Sequence, residues 1–243
     1  MTAYREQLYT NYTSTQENRS GENEAQLFAQ QVFYFTKELV PLLPQNKQAT
    51  ILDIGCGNGA MIKAVANSGY ANAQGIDLSP EQIKTAKAMG LTNVSCIGVD
   101  DFLNAHKGGF DVIMAIDVIE HFTKSELVDY LNKIKKALNP GGTVLFRTPN
   151  MDAPLTSVYS FGDFTHECLL NKSSAEQVMA SAGFSDIEVL PSMILAQGLV
   201  KETLRKITWS CVLFWLKVML FASGRTWSGV VFTPNLVIKA KVK

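Results

Sequence analysis

The sequence predicts an α/β protein built on a doubly wound, mainly parallel sheet, and three observations carry that prediction. Short apolar runs alternate along the chain with helical patterns of ten or so residues. The first strand-like run ends in an aspartate, passes through a glycine-rich turn, "ILDIGCGNGA", and enters a helix. Two later helical patterns open on capping signals and stop at glycine.

Taken in order, "EAQLFAQQVFYFTKELVPLL" reads as a helix closed by Pro44. "TILDIG" is a short buried strand, and "AMIKAVANSG" a helix ending near Gly69. "AQGIDL" is the second strand. "SPEQIKTAKAMG" has Ser79 as N-cap, Pro80 at the first helical position and Gln82 completing a capping box, and it stops at Gly90. "NVSCIGV" and "FDVIMAID" are the third and fourth strands. "TKSELVDYLNKIKKALNPGG" carries a second capping box, Thr123 with Glu126, and a Pro-Gly-Gly stop. "TVLFRTP" is the fifth strand, "SSAEQVMASAGF" a short helix, "SDIEVLP" the sixth strand and "GVVFTPNLVIKAK" the last.

Composition bounds the function. The 243 residues carry 47% hydrophobic side chains and a formal net charge of zero. That suffices for one domain with a full core, placed at residues 26–243 behind a polar segment at 1–25. The lack of a basic excess argues against nucleic acid as partner. Cys56, Cys96, Cys168 and Cys211 are scattered without a CxxC pair, so neither a zinc knuckle nor a disulfide framework is expected. The polar N-terminus lacks the apolar stretch of a signal peptide, and the expected compartment is the cytoplasm.

Sheets of this kind bind ligands beyond the carboxyl ends of the strands, at the switch point where the first strand delivers Asp53 and its glycines. Two ligands compete for the loop. Gly55-Cys56-Gly57-Asn58-Gly59-Ala60 formally fits a dinucleotide fingerprint. A pyrophosphate beside Asp53 would be repelled, whereas an amino-acid end offers an ammonium to Asp53 and a carboxylate to the helix N-terminus. S-adenosylmethionine has that charge arrangement. Asp77 ends the second strand, 24 residues after Asp53, where an acid can accept ribose hydroxyls under either reading. Asp100 or Asp101, with Phe102, follows the third strand, where an acid can accept an adenine amino group and an apolar neighbour can cover the ring.

"ILDIGCGNGA", "GIDLSPEQI", "FDVIMAIDVIEHF" and "LNPGGTVLFRTPN" resemble, in order and spacing, the blocks of class I S-adenosylmethionine-dependent methyltransferases, over about residues 45–190. The resemblance implies a Rossmann-like, seven-stranded sheet whose last strand is antiparallel. It implies cofactor contacts at Asp53, Gly55, Cys56, Gly57, Gly59, Asp77, Leu78, Asp100, Asp101 and Phe102, with Ile116 or Asp117 bordering the methyl donor.

Such an enzyme aligns an acceptor with an already activated methyl group and excludes water. A hydroxyl acceptor must also lose its proton, which calls for a base. His121 in "DVIEH" and His166 in "GDFTHE" lie at the cofactor edge, while His106 in "NAHKGG" reads as a surface loop residue. A histidine base is the simpler reading. Asp117, Glu120, His121 and His166 could instead form a hard metal site. Similar blocks occur in ubiquinone-biosynthesis O-methyltransferases and in methyltransferases of small-RNA 3′ ends, where the resemblance implies a divalent cation.

The second half speaks to the acceptor. "GDFTHECLLNKSSAEQVMASAGF" and "RTWSGVVFTPNLVIKAK" resemble methyltransferases of bacterial surface-polysaccharide pathways, which implies a sugar hydroxyl of a glycan or its lipid-linked precursor. Tyr4, Tyr9 and Tyr12 could form a stacking lid. The alternatives are an isoprenoid, quinone or other small-molecule hydroxyl, an NAD-linked reductase, and a non-catalytic cofactor-binding module.

One segment departs from the pattern. From Ile207 to Ser223 only Lys217 is charged. A membrane span needs about 20 apolar residues, and a single crossing would strand the last strand on the far side. The better reading is an inserted apolar helix within about 197–227. Three uses fit it: a homodimer interface, a wall of the acceptor pocket, or a face, at about 200–227, lying on the inner surface of an anionic membrane.

Overall fold

The computed structural model describes residues 24–196 and 198–243. The expected tyrosine lid and nearly all of the 1–25 segment lie outside the described residues.

The chain folds as α1 (Glu24–Glu38), β1 (Ile51–Ile54), α2 (Ala60–Asn67), β2 (Ala73–Asp77), α3 (Pro80–Ala88), β3 (Val94–Cys96), α4 (Val99–Ala105), β4 (Phe110–Ile116), α5 (Lys124–Ala137), β5 (Leu138–Pro149), α6 (Thr156–Ser160), α7 (Lys172–Ser181), β6 (Ser185–Pro191), α8 (Leu199–Ala222) and β7 (Asn235–Lys241). The seven strands form one sheet in the order β3-β2-β1-β4-β5-β7-β6. The pairs among β1 to β5 are parallel, and β7 runs antiparallel to both β5 and β6. All four residues of β1 are buried, because a strand paired in parallel on both sides is covered on both faces and shows no polar alternation. The strand order reverses between β1 and β4, which opens the crevice at their carboxyl ends.

Local signals place the helices that frame this crevice. Ser79 Oγ accepts from the Gln82 amide at the start of α3, and Thr123 with Glu126 makes a full capping box on α5. Four elements differ from the sequence expectation, α6 among them, a short helix where only a loop was expected. Residues 99–105 form a helix whose N-cap, Gly98, offers no side chain to announce it. β5 begins already at Leu138, with a register irregularity against β4 between Phe110 and Val112. β7 begins only at Asn235, because the preceding carbonyls are taken by Asn150. Its side-chain amide donates to Val231 O at 2.7 Å and Thr233 O at 2.8 Å, and its backbone N–H to Pro234 O at 2.9 Å.

The inserted segment leaves and rejoins the sheet at one point. The Ser192 amide donates to Thr233 Oγ1 at 3.0 Å, and the Asn235 amide to Ser192 Oγ at 3.2 Å. Both ends of the insertion therefore sit at the carboxyl edge, on the same side as the crevice. α8 spans 24 residues, none of them buried.

Candidate active site

The turn after β1 builds the first wall. Gly55, Gly57 and Gly59 all have positive φ. At Gly55 a Cβ would lie 2.4 Å from Val118 Cγ2, and at Gly59 2.2 Å from Leu91 Cδ1, so both positions demand glycine for space as well as conformation. Asp53 is 1% exposed. Its Oδ1 is one of two buried side-chain atoms without a hydrogen-bond partner among the described residues. Burial, with help from Asp77, raises its pKa to about 8. A buried carboxylate with an empty acceptor is poised for a cationic donor.

Asp77 is mostly turned to the loop: Oδ2 accepts from the Gly57 amide at 2.8 Å and Oδ1 from the Ser79 amide at 2.8 Å. Burial raises its pKa, against the opposing effect of these bonds. Cys56 packs inward, its Sγ only 2.7 Å from where a Cβ on Gly75 would stand, so it offers its backbone alone to a ligand. Burial pushes its thiol pKa upward.

The residues expected at the adenine are held in different ways. Phe102 is buried in the main core and stacks on His106 with ring centroids 4.1 Å apart. Asp100 is drawn toward α5 by Lys133, at 2.6 Å. Leu78, half exposed, and Asp101 instead flank Gly98, with Leu78 Cδ1 and Asp101 Oδ2 at 3.8 and 3.7 Å from its Cβ position. They stand together at the carboxyl ends of β2 and β3. His106 is no loose loop residue either, since its Nδ1 bonds Phe102 O at 2.7 Å.

Leaving β4, Ile116 packs against the cluster shared by α1 and α2. Asp117 turns into the left-handed region at φ 56. Arg147 grips its carboxylate, through Nε to Oδ1 at 3.1 Å and through a second contact between Nη2 and Oδ2. The same guanidinium reaches Glu38 Oε2 at 3.4 Å, and Glu38 Oε1 accepts the Met193 amide at 2.6 Å. One arginine thus ties α1, β4, β5 and the entry to the insertion. Neither Arg147 nor Glu38 was signalled locally, because their partners lie 30 and 155 residues away in sequence.

The histidines are brought together by backbone pairing. The Glu120 carbonyl accepts the amides of Glu167 at 2.8 Å and Cys168 at 2.9 Å. That seats the loop after β5 on the Ile119–His121 turn, with the His121 and His166 rings 5.0 Å apart in a T arrangement. Thr165 Oγ1 donates to Asp163 Oδ1 at 2.6 Å, so at 2.8 Å it accepts from His121 Nδ1. His166 Nδ1 donates to Ser160 O at 2.9 Å. Both imidazoles therefore carry a proton on Nδ1, which leaves Nε2 as the atom each can offer a metal. Burial, and then His166, lower the pKa of His121 and keep it neutral near pH 7. Glu120, 1% exposed, accepts from Thr148 Oγ1 at 3.1 Å. Ligand atoms of Glu120, His121 and His166 lie within 4.8 Å of one another. Asp117, expected in this set, belongs to Arg147 instead. Thr165 and Asp163 escaped the sequence reading, although "DFT" is a recognisable Asx-turn pattern.

A cavity of about 630 Å³ lies between α1 and Leu195, Ala196 and Gly198, lined also by Gln26, Phe33 and Tyr34 among others. The Asn58–Gln31 bond, 2.8 Å, connects this face of α1 to the glycine loop. None of the cavity's described lining residues belongs to the histidine cluster.

Known proteins resemble this chain on three counts. The model of a methyltransferase domain matches residues 28–189. A ubiquinone biosynthesis O-methyltransferase of Hydrogenovibrio crunogenus is 25% identical over 162 residues, 60% of this chain and 66% of the relative. A norajmaline N-methyltransferase of Rauvolfia serpentina is 34% identical over 108 residues, 42% of this chain and 36% of the relative. The chain thus spans less than two thirds of the length of either curated relative. A SAM-dependent methyltransferase from Archaeoglobus fulgidus shares the fold, with a TM-score of 0.65 at 18% identity over 90% of this chain and 100% of the other. The curated relatives carry names for different acceptor atoms, oxygen and nitrogen, so this similarity tracks the shared half of the fold and not the acceptor.

Proposed function

We propose that this chain, which belongs to the methyltransferase-domain family, is an S-adenosylmethionine-dependent O-methyltransferase of a small-molecule hydroxyl, with Glu120, His121 and His166 holding a divalent cation. The observation that carries this is the cluster itself: a buried carboxylate and two imidazoles that each offer Nε2, with ligand atoms within 4.8 Å. Such a donor set suits a divalent metal. Relatives named for ubiquinone biosynthesis favour a hydroxyl of the isoprenoid or quinone kind over the sugar hydroxyl expected from loop style. None of the relatives named here is a glycan enzyme.

S-adenosylmethionine, when bound, supplies a methyl group already activated by a sulfonium. A bound divalent cation lowers the pKa of an acceptor hydroxyl. The residues of the chain do the rest. Asp53 takes the ammonium of the cofactor, since its buried Oδ1 has no other partner. Leu78, Gly98 and Asp101, together at the ends of β2 and β3, would flank the adenine. Thr165 and Ser160 fix which nitrogen of each imidazole faces the acceptor. With the cation bound, the Nε2 lone pair of His121 belongs to the metal; only without a cation could His121, held neutral by burial, take the hydroxyl proton itself.

Calorimetric titration with Mn²⁺, with and without S-adenosylhomocysteine, tests the cation directly. Saturable binding lost in His166→Ala is expected. Full activity after thorough chelation, together with no Mn²⁺ binding, would sink the cation and leave His121 as a metal-free base. An acceptor screen with radiolabelled cofactor tests the substrate class, and label entering nucleotide sugars but no phenolic or isoprenoid hydroxyl would restore the glycan reading.

Asp53 gives a second expected result. With its pKa near 8 in the free chain, it is mostly protonated at pH 7, while the ligand ammonium favours the carboxylate. Binding then releases a proton, and S-adenosylhomocysteine affinity rises up to about tenfold per pH unit between pH 6 and 8. Titrations in two buffers of different ionisation enthalpy measure the release. A flat affinity over that window would show that Asp53 does not meet the ammonium.

A further inference from the structure

α8 is apolar nearly all round, and none of its residues is buried. Its less exposed residues, Glu202, Arg205, Trp209, Leu213, Leu216 and Leu220, recur every three or four positions and mark one face of the helix. At about 100° per residue, the opposite face carries Val200, Leu204, Ile207, Phe214, Trp215 and Val218. Phe214 and Trp215 are 61% and 63% exposed, and Phe221 on the flank 73%. A second exposed apolar group, Leu155, Val158, Phe161 and Phe164, lies in the loop after β5. Asn150 starts that loop and is bonded to residues 231–234, so both groups spring from the same edge of the sheet.

Charge tells what covers this face. The whole chain is neutral, but residues 199–230 contain Lys201, Arg205, Lys206, Lys217 and Arg225 against the single acid Glu202. That acid is taken up by Arg205 at 2.6 Å and Lys206 at 3.6 Å. On the helix wheel Lys201 borders the apolar face on one side and Lys217 on the other, while Lys206 lies beside Glu202, its ion-pair partner. A second copy of the chain would bring the same cations against one another without an opposing acid. A surface with apolar depth and anionic headgroups accepts both features, because lysine stems lie along the apolar layer while their ammonium groups reach the headgroups. No helix among the described residues is long and apolar enough to cross a membrane, so α8 would lie in the interface plane.

We propose that the outer face of α8 docks the protein on an anionic phospholipid surface, lying flat, with the carboxyl edge of the sheet turned toward the lipid. The claim is independent of which acceptor the site methylates.

All three tryptophans, Trp209, Trp215 and Trp227, fall in or just after α8, so intrinsic fluorescence reports on this segment alone. The test adds vesicles of phosphatidylcholine, with or without phosphatidylglycerol, to the full chain and follows emission and co-flotation. A blue shift and co-flotation are expected with phosphatidylglycerol only, weakened by high salt. The double variant Lys201→Glu/Lys217→Glu is expected to lose more than about tenfold in vesicle affinity while keeping S-adenosylhomocysteine affinity. Phe214→Ser/Trp215→Ser removes the apolar part of the contact, and its unchanged circular dichroism would show an intact fold. No flotation at low salt overturns the proposal. So does concentration-dependent dimerisation that Trp215→Asp abolishes in a chain that ignores vesicles, because the face would then belong to a second copy.

Discussion

Glu120→Gln is expected to leave the fold intact, strip the site of divalent-cation affinity by at least about hundredfold, and lower methyl transfer by a similar factor. The substitution keeps the volume, and an amide oxygen can still accept from Thr148 Oγ1. What disappears is the ability to become a carboxylate, the one anionic ligand that the cluster of Glu120, His121 and His166 can offer a cation. Stability is expected to move the other way. Burial, and then Asp117, hold the Glu120 carboxyl pKa well above its usual range. The folded chain therefore binds this proton more tightly than the unfolded one. The stability tied to it is present below the unfolded pKa and is lost as pH rises through the folded one. Glutamine removes that dependence. In EDTA, the variant should melt at or above the parent near pH 8, with the gap closing toward pH 4, because an uncompensated buried charge costs more than a neutral isostere. Thermal melts at both pH values, with Mn²⁺ titration beside them, check both halves. A variant that keeps Mn²⁺ affinity and turnover would remove Glu120 from the site.

Gly55→Ala is the second large effect. A Cβ there would lie 2.4 Å from Val118 Cγ2, and the backbone sits at φ 69. The left-handed conformation alone costs about 1–2 kcal/mol with a side chain, and crowding of this kind about 1–3 more. For a chain of this size the sum is a Tm fall of roughly 5–15 °C. Val118 stands between Asp117 and Glu120, so the displaced side chain disturbs both walls of the crevice together. Loss of S-adenosylhomocysteine binding should therefore accompany loss of cation binding. Adding Val118→Ala should recover the steric part and leave the conformational part. If Gly55→Ala bound both ligands as tightly as the parent, the glycine turn would not be a wall of the site.

Much of this was legible in the sequence, and the divide follows the range of the interaction. β1 with its glycine turn, the Thr123–Glu126 cap and the inserted apolar helix are written in neighbouring residues, where capping chemistry and turn conformation act. Asp53 and the glycines were readable because a carboxylate before a positive-φ turn has few structural uses. The histidine pair was readable as two candidates, but their meeting depends on the Glu120 carbonyl receiving Glu167 and Cys168 across 47 and 48 residues. The Arg147–Asp117–Glu38 network was hidden for the same reason, and so Asp117 was grouped with the wrong partners. α4 went unseen because Gly98 caps it without a side chain. With that helix present, Phe102 turns into the core, while Leu78 stays half exposed beside Gly98.

The position of β7 has a consequence for how the protein is made. The last strand of the sequence does not close the sheet at its rim but slots between β5 and β6, pairing with both. During synthesis β5, β6 and the exposed α8 all leave the ribosome before the strand that joins them. Until residues 235–241 arrive, two strand edges stand unpaired beside an oily helix, a combination that invites aggregation. A chain stopped after α8 is thus not a smaller working enzyme but an open sheet, and nascent chains of that length should be the ones that chaperones hold.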